Sequence, residues 1–521
     1  MPVQAEPVAD AVQALGSAGF AAKAELLQTI AATAQAGAEP GARAAARDVF
    51  TALLDGNLQV RKTDGAVVIA TPAGDGFALR DPLSGEALGN AGRFDLKRIP
   101  INNTLRTQLR VLIARLSLED PAPAARRAAV RALYESLDAD AAALLRDRLP
   151  RERDGAVRDA IEVGLALAQL GDGNEQVRIA AAQRLGGSVE PVVRARLDAL
   201  AQDATQSQAV RDAARVARAR SDTRVGLYRA AETAFFGLSL GSVLLLGAIG
   251  LAISFGVMGV INMAHGEFLM LGAYTTFVVQ QWVPVDWSLP VAIPLAFLVA
   301  GAVGVLLERG LIRFLYGRPL ETLLATFGVS LILQQAVRSL FSPLNRQVAT
   351  PSWMSGSWQI NPALSLTWNR LYVVVFALAV FLGLLAVVRY TRFGLELRAV
   401  SQNRAMARAL GVRSARVDAL TFGLGAGIAG VGGVALSQLT NVGPNLGQAY
   451  IVDAFLVVVF GGVGNLWGTF TAALTLGVAN KLIEPWVGAV LAKILVLVFI
   501  ILFIQRRPRG LFPQRGRAAE A

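Results

Sequence analysis

Between residues 225 and 504 the chain returns repeatedly to apolar runs long enough to cross a bilayer, and that confines this half to helices. In hydrocarbon every backbone N–H and C=O needs a partner within the protein, and an α-helix supplies one from its own segment. Candidate spans are 234–257, 266–282, 289–312, 321–341, 371–389, 415–438, 450–463, 469–484 and 487–504. The seventh and eighth are short, and Gly interrupts them. The expected fold is an all-α polytopic membrane protein of about eight or nine spans, broken helices included, over residues 225–513. A soluble domain over residues 1–224 precedes it.

Charge separates the same two parts. Residues 1–224 hold 29 Lys+Arg against 28 Asp+Glu, and residues 225–521 hold 21 against 10. The basic excess lies with the apolar half, which fits the positive-inside rule and argues against a nucleic-acid partner. Three connections are strongly basic: Arg309 to Arg318, Arg389 to Arg416, and a tail with Arg506, Arg507, Arg509, Arg515 and Arg517. If all three face the cytoplasm, even numbers of spans separate them, and counting back puts residue 225 outside. The 1–224 domain is therefore expected to be periplasmic. Its opening residues lack the basic start and apolar core of a secretory signal, so a truncated or misassigned start is expected too, although a miscount of spans would also account for it. Six of the seven Trp (Trp282, Trp287, Trp353, Trp358, Trp368 and Trp486) fall in or beside the outer connections. An interfacial aromatic belt or an external docking surface would explain them.

Composition excludes several chemistries. There is no Cys and one His, so thiolate and multi-His metal sites are ruled out. None of the five Lys follows Gly, so no Gly-Lys-Ser/Thr phosphate loop exists. No catalytic residue, metal or directly bound cofactor is expected, and the chain does not bind ATP through that loop itself.

Residues 8–54 and 104–220 read as Ala/Leu-rich helix. Between them, 58–100 alternates like strands, with Asp64-Gly65 as a two-residue hairpin signal, so a small β insertion is expected. Val-Arg recurs at 130–131, 157–158, 177–178 and 210–211, and 176–186 resembles the second helix of a HEAT-type repeat. An ordinary helical bundle would satisfy the same pattern.

Two inner connections, 257–268 and 461–470, are Gly-rich, carry no Lys or Arg and break apolar runs. Irregular backbone at membrane depth survives only where protein or water covers it, and paired breaks point to a transport route. Asn262, His265 and Glu267 sit at one break and Asn465 at the other. With Gln438, Asn441 and Asn480 these are the candidate path residues; each also fits helix-packing hydrogen bonds, and His265 and Glu267 fit the aqueous end of a span. Gly237/Gly241 and Gly423/Gly427 are spaced for close helix packing.

The segment 390–416 carries an amphipathic stretch, with Leu395, Leu397, Val400, Met406 and Leu410 apolar and Arg398, Arg404 and Arg408 polar. Gly411 suits a helix stop and Ser414 a following cap. Such a segment is either a solvated loop or a docking helix for a second subunit.

The stretches 259–274, 392–412 and 458–469 resemble, in order, blocks of the membrane permeases of ABC importers for branched-chain amino acids and related small nitrogen compounds. The long N-terminal extension resembles the urea permease branch. This resemblance implies an inner-membrane importer of urea built from two related permeases, two ATPases and a periplasmic solute-binding protein. It also implies a cytoplasmic coupling loop in which Glu396, Arg398, Asn403 and Gly411 engage the ATPase. Branched-chain amino acids or short amides are the alternative solutes. A membrane-anchored scaffold and an ion-driven transporter are the alternatives of other classes.

Overall fold

The computed structural model describes residues 6–36, 40–73, 76–92 and 94–512. Arg515 and Arg517 of the basic tail lie outside the described residues. The chain divides into two compact units, Met1–Val225 and Gly226–Ala521.

In the first unit, α1 (Glu6–Ala14), α2 (Phe20–Ala36), α3 (Pro40–Asp55) and α4 (Asn103–Ser117) enclose a core that includes Leu15, Leu27, Ile30, Phe50 and Leu53. Between α3 and α4 run β1 (Leu58–Arg61), β2 (Val67–Ala73), β3 (Gly76–Arg80), β4 (Ala87–Ala91) and β5 (Leu96–Arg98), paired antiparallel in the order β4-β3-β2-β1-β5. Val67 faces the helices while its neighbour Val68 joins Ala70, Leu79 and Leu96 on the other face, as the two-residue period of a strand requires. The β1–β2 connection differs from the expected two-residue turn. Arg61 N–H donates to Ala66 O at 2.8 Å, so Lys62 to Gly65 form a longer loop; Gly65 takes φ +71° and Asp64 pairs with Arg61.

The remaining helices of this unit are α5 (Pro123–Leu133), α6 (Ala139–Arg148), α7 (Gly155–Gln169), α8 (Glu175–Leu185), α9 (Pro191–Gln202) and the start of α10 (Gln208–Met258). Three of the Val-Arg pairs are explained by how helices begin. Val157, Val177 and Val210 each occupy the third position of a helix, behind Asp154, Asn174 and Ser207. The Asp154 and Asn174 side chains cap by accepting from Val157 and Gln176 N–H, among others. Val130 instead lies late in α5. What recurs is a helix start at uneven intervals rather than a two-helix unit of fixed length.

Glu152 is the buried hub of this unit. Arg126 donates to both its oxygens at 2.9 and 2.8 Å, Arg148 adds a bond at 3.1 Å, and the N–H groups of Arg153 and Asp154 add two at 3.0 Å. The Arg126 hydrogen bonds hold its carboxyl down at about 2.

α10 runs unbroken from the first unit into the second. There follow α11 (His265–Val279), α12 (Val285–Gly310), α13 (Pro319–Phe341), the hairpin β6 (Ser357–Asn361) and β7 (Leu364–Thr367), α14 (Trp368–Tyr390), α15 (Arg392–Gln402), α16 (Arg404–Ala409), α17 (Ser414–Ser437), α18 (Leu446–Gly461), α19 (Leu466–Val487) and α20 (Ala489–Arg506). Among the described residues, six helices are long and apolar enough to cross a membrane: α10, α12, α13, α14, α17 and α20. α18 is apolar but shorter, and the expected span 266–282 is the 15-residue α11.

α17 is the centre of the second unit, buried along nearly all its length together with the apolar part of α10. Exposed Leu, Val, Ile and Phe on α12, α13, α14 and α20 form the outer surface, the inverse of a water-soluble protein. Around α17 the helices meet backbone to backbone. A Cβ on Gly272 of α11 would strike the carbonyl oxygen of Gly430, and one on Gly250 of α10 that of Gly425. Gly237 and Gly241 lie on α19, and Gly423 and Gly427 on α12. Without a hydrophobic drive between helices in lipid, such close approach supplies the dispersion energy.

Candidate transport path and coupling hairpin

α10 ends at Met258, Gly259 takes φ +68°, and residues 259–264 stay non-helical until α11 begins at His265. His265 and Glu267 are only 2% and 1% exposed, so they do not sit at the aqueous end of a span. A His265 ring nitrogen lies 3.0 Å from the carbonyl oxygen of Gly247 in the middle of the apolar part of α10. The Asn262 side-chain oxygen accepts from Ala264 N–H at 3.0 Å and so turns the chain into α11, while its Nδ2 has no partner. The break is thus enclosed by protein, the condition under which non-helical backbone is tolerated at membrane depth.

The partner of this break is α13. Thr326 Oγ1 accepts from Met263 N–H at 3.1 Å. Ser330 and Gln334 each donate to Glu267 Oε1 at 2.8 Å, and Glu267 Oε2 packs against Gly447 without a hydrogen bond. The reading from sequence alone passes over these three residues. Their signal is spacing: Thr322, Thr326, Ser330, Gln334 and Arg338 recur every fourth position through an otherwise apolar helix.

The structure brings Asn262, His265 and Glu267 together but not the other path candidates. Gln438 lies at the far end of α17, buried, with Nε2 on Ser437 Oγ at 3.2 Å and Oε1 unpartnered. Asn441 is exposed in the following loop, and Asn480 is buried in α19. Asn465 caps α19 by accepting from Gly468 N–H at 3.1 Å and donates to Phe512 O at 3.2 Å, a structural task in a loop whose Gly464 packs against Gly256 in the last turn of α10. Among the described residues, no group of three or more His, Cys, Asp or Glu could hold a metal ion.

Between α14 and α17 the chain forms a helical hairpin rather than one continuous helix. Asn403 leaves helical geometry at φ −148° and ψ 98°, and its side chain accepts from Met406 N–H at 2.9 Å, capping α16. Gly411 takes φ +89° as a helix stop. Ser414 does not cap α17: it is the helix's first residue, and its Oγ accepts from Arg408 Nε at 2.7 Å. Leu397, Val400 and Ala407 are buried beneath the hairpin, whereas Leu395, Met406 and Leu410 stand 62%, 58% and 79% exposed with Glu396, Arg398 and Arg408 around them. A solvated loop would not hold three large apolar side chains outward on a fixed scaffold; an apolar knob with a charged rim suits a protein contact.

Arg404 turns inward. It clasps Asp418 with two bonds of 2.5 and 3.0 Å, and its guanidinium lies 5.4 Å from the Tyr316 ring centroid. Tyr316 donates to Glu308 Oε1 at 2.8 Å.

The hairpin defines one face of the unit, the end where α14 stops and α17 starts. α10 runs antiparallel to α17, since Leu246 meets Gly432 and Gly250 meets Gly425. The apolar part of α10 therefore begins at the face opposite the hairpin and ends on the hairpin's side.

The family model described as branched-chain amino acid transport system / permease component matches residues 233–504. The high-affinity branched-chain amino acid transport system permease protein LivH of Escherichia coli K12 is 32% identical over 289 residues, covering 53% of this chain and 93% of the relative. BraD of Pseudomonas aeruginosa is 31% identical over 288 residues with the same coverage. LivM of Salmonella typhimurium, 26% identical over 294 residues, is covered over 66% of its length. No solved structure matches.

Proposed function

The chain belongs to the branched-chain amino acid transport permease family, and from that premise we propose that it passes branched-chain amino acids through the inner membrane as one permease of an ABC importer. The single observation that carries the mechanism is the α15–α16 hairpin, an exposed apolar knob set at the foot of the central helix. As a permease subunit it performs no covalent chemistry. Two partner ATPases supply the energy, a second related permease completes the channel, and an external solute-binding protein delivers the solute. Similarity to both LivH and LivM supports two related permeases in one assembly.

ATP-driven closure of the ATPases displaces the hairpins, and the helices around α17 rock between outward and inward access. Asn262, His265 and Glu267, at a helix break that holds polar groups without lipid contact, are the path residues this geometry favours. The face opposite the hairpin is then external, and the first unit, which leads into α10 at that face, is periplasmic.

A second reading, urea as solute, is favoured by one observation: LivH and BraD are matched over 93% of their length, yet the family model covers only residues 233–504 and leaves the whole first unit outside it. Uptake of radiolabelled leucine and urea in a deletion strain decides between them. Loss of leucine uptake with urea uptake intact supports amino acids; the reverse supports urea; loss of neither overturns the importer reading.

A further inference from the structure

We infer that Arg404 and Asp418 form the mechanical link by which the coupling hairpin drives the helix bundle, an inference that rests on the importer reading above. Arg404 is the first residue of α16, and Asp418 lies in the first turns of α17. Their two hydrogen bonds fix the guanidinium plane against the carboxylate, and Asp418 is 1% exposed, so no partner subunit reaches it. A bidentate pair of this kind resists rotation as well as separation, unlike a single contact from a flexible side chain.

The link extends to a second helix. The face of Arg404 stacks on Tyr316, whose hydroxyl is held by Glu308 near the end of α12; Glu308 is 1% exposed, and its other oxygen lies 3.7 Å from Arg309 Nε. α12 and α17 cannot slip past each other easily. A Cβ on Gly430 would lie 2.6 Å from both Ala296 O and Ala300 Cβ, and one on Gly304 would lie 2.5 Å from Ala426 Cβ. Small residues leave no side-chain layer to absorb a displacement. α17 in turn touches α11 backbone to backbone at Gly430 and Gly433, which meet Leu269, Gly272 and Ala273, within two turns of the buried Glu267. A push on the exposed knob thus travels through Arg404 into α17 and reaches the break at the start of α11. Arg404 is a positioning residue: it acts through the helices and touches no solute.

The test compares the wild-type complex with two variants, Asp418→Asn, which keeps the shape and removes the charge, and the exchange Arg404→Asp with Asp418→Arg. Each is purified by a tag on this chain, and two quantities are read. Hydrogen exchange of the chain follows residues 404–421 and 259–268. ATP hydrolysis by the co-purified ATPases is measured with and without solute-loaded binding protein. Asp418→Asn is expected to speed exchange in both segments and to lower stimulated hydrolysis by about tenfold while basal hydrolysis and ATPase recovery stay unchanged. The exchange variant is expected to recover part of the stimulation. Faster exchange confined to 404–421, or stimulation at the wild-type level in Asp418→Asn, overturns the link. Absence of ATPases from the wild-type preparation defeats the importer reading instead, and the exchange data still judge the link.

Discussion

At Glu152 five donors converge on one carboxylate deep in the first unit. Because its folded-state value sits near 2, below the ordinary carboxylate range, it stabilises the unit above that range and loses the contribution as pH falls through it. The lowering corresponds to about 3 kcal/mol, so stability should fall between about pH 5 and about pH 2. Glu152→Gln should flatten that decline, as followed by far-ultraviolet circular dichroism against pH. Removing the carboxylate altogether takes one acceptor from the half-buried Arg126 and Arg148, and Glu152→Ala should cost about 1–3 kcal/mol. Space decides the outcome at Gly272 instead. Gly272→Leu forces α11 away from α17, and overpacking of this kind costs about 1–3 kcal/mol or more. The expected result is loss of a monodisperse peak in detergent size-exclusion chromatography, whereas Gly328→Leu, where nothing lies within 4 Å, should leave the peak in place.

At the scale of elements, the coupling hairpin separates into a mount and a contact surface. Asn403 and Gly411 belong to the mount, one as a cap and the other as a left-handed stop. Asn403→Ala should destabilise α16 by about 1 kcal/mol without abolishing ATPase association. Leu395, Met406 and Leu410 would make the proposed contact. Replacing Met406 and Leu410 by Ser should release the ATPases in pull-downs while leaving the chain folded, since neither side chain is part of the core. This division also shows what the sequence could and could not tell. The amphipathic pattern of 392–412, the stop at Gly411 and the strands of 58–100 are local properties, and local chemistry dictated them. The break at Asn403 was hidden because the apolar period continues across it. Arg404 looked like one more exposed arginine because its partner lies fourteen residues on, past a turn. Ser330 and Gln334 were hidden because their acceptor comes from another helix, and hydropathy averages erase a polar stripe one residue wide.

On the scale of the whole molecule, the proposed topology rests on the count of spans between basic connections and on the antiparallel run of α10 against α17, one an argument from charge and the other from packing. The chain has no Cys, so single substitutions report sidedness without background. In intact spheroplasts a membrane-impermeant maleimide should label Ser84→Cys and should label Ala405→Cys only after permeabilisation. The opposite pattern would invert the topology, put the hairpin outside and overturn its reading as the ATPase contact.

The evenly spaced polar residues of α13 have one further effect. A helix whose hydroxyl and amide groups recur every fourth position cannot rotate in place without carrying them into hydrocarbon, but it can advance along its own axis with a small screw turn. A shift of four residues, about 6 Å along the axis with a net turn of about 40°, would bring Thr326 and Ser330 beneath the Glu267 carboxylate in place of Ser330 and Gln334, trading one pair of donors for the next. The same helix that shields a buried acid is thereby built as a rack with teeth at a fixed pitch.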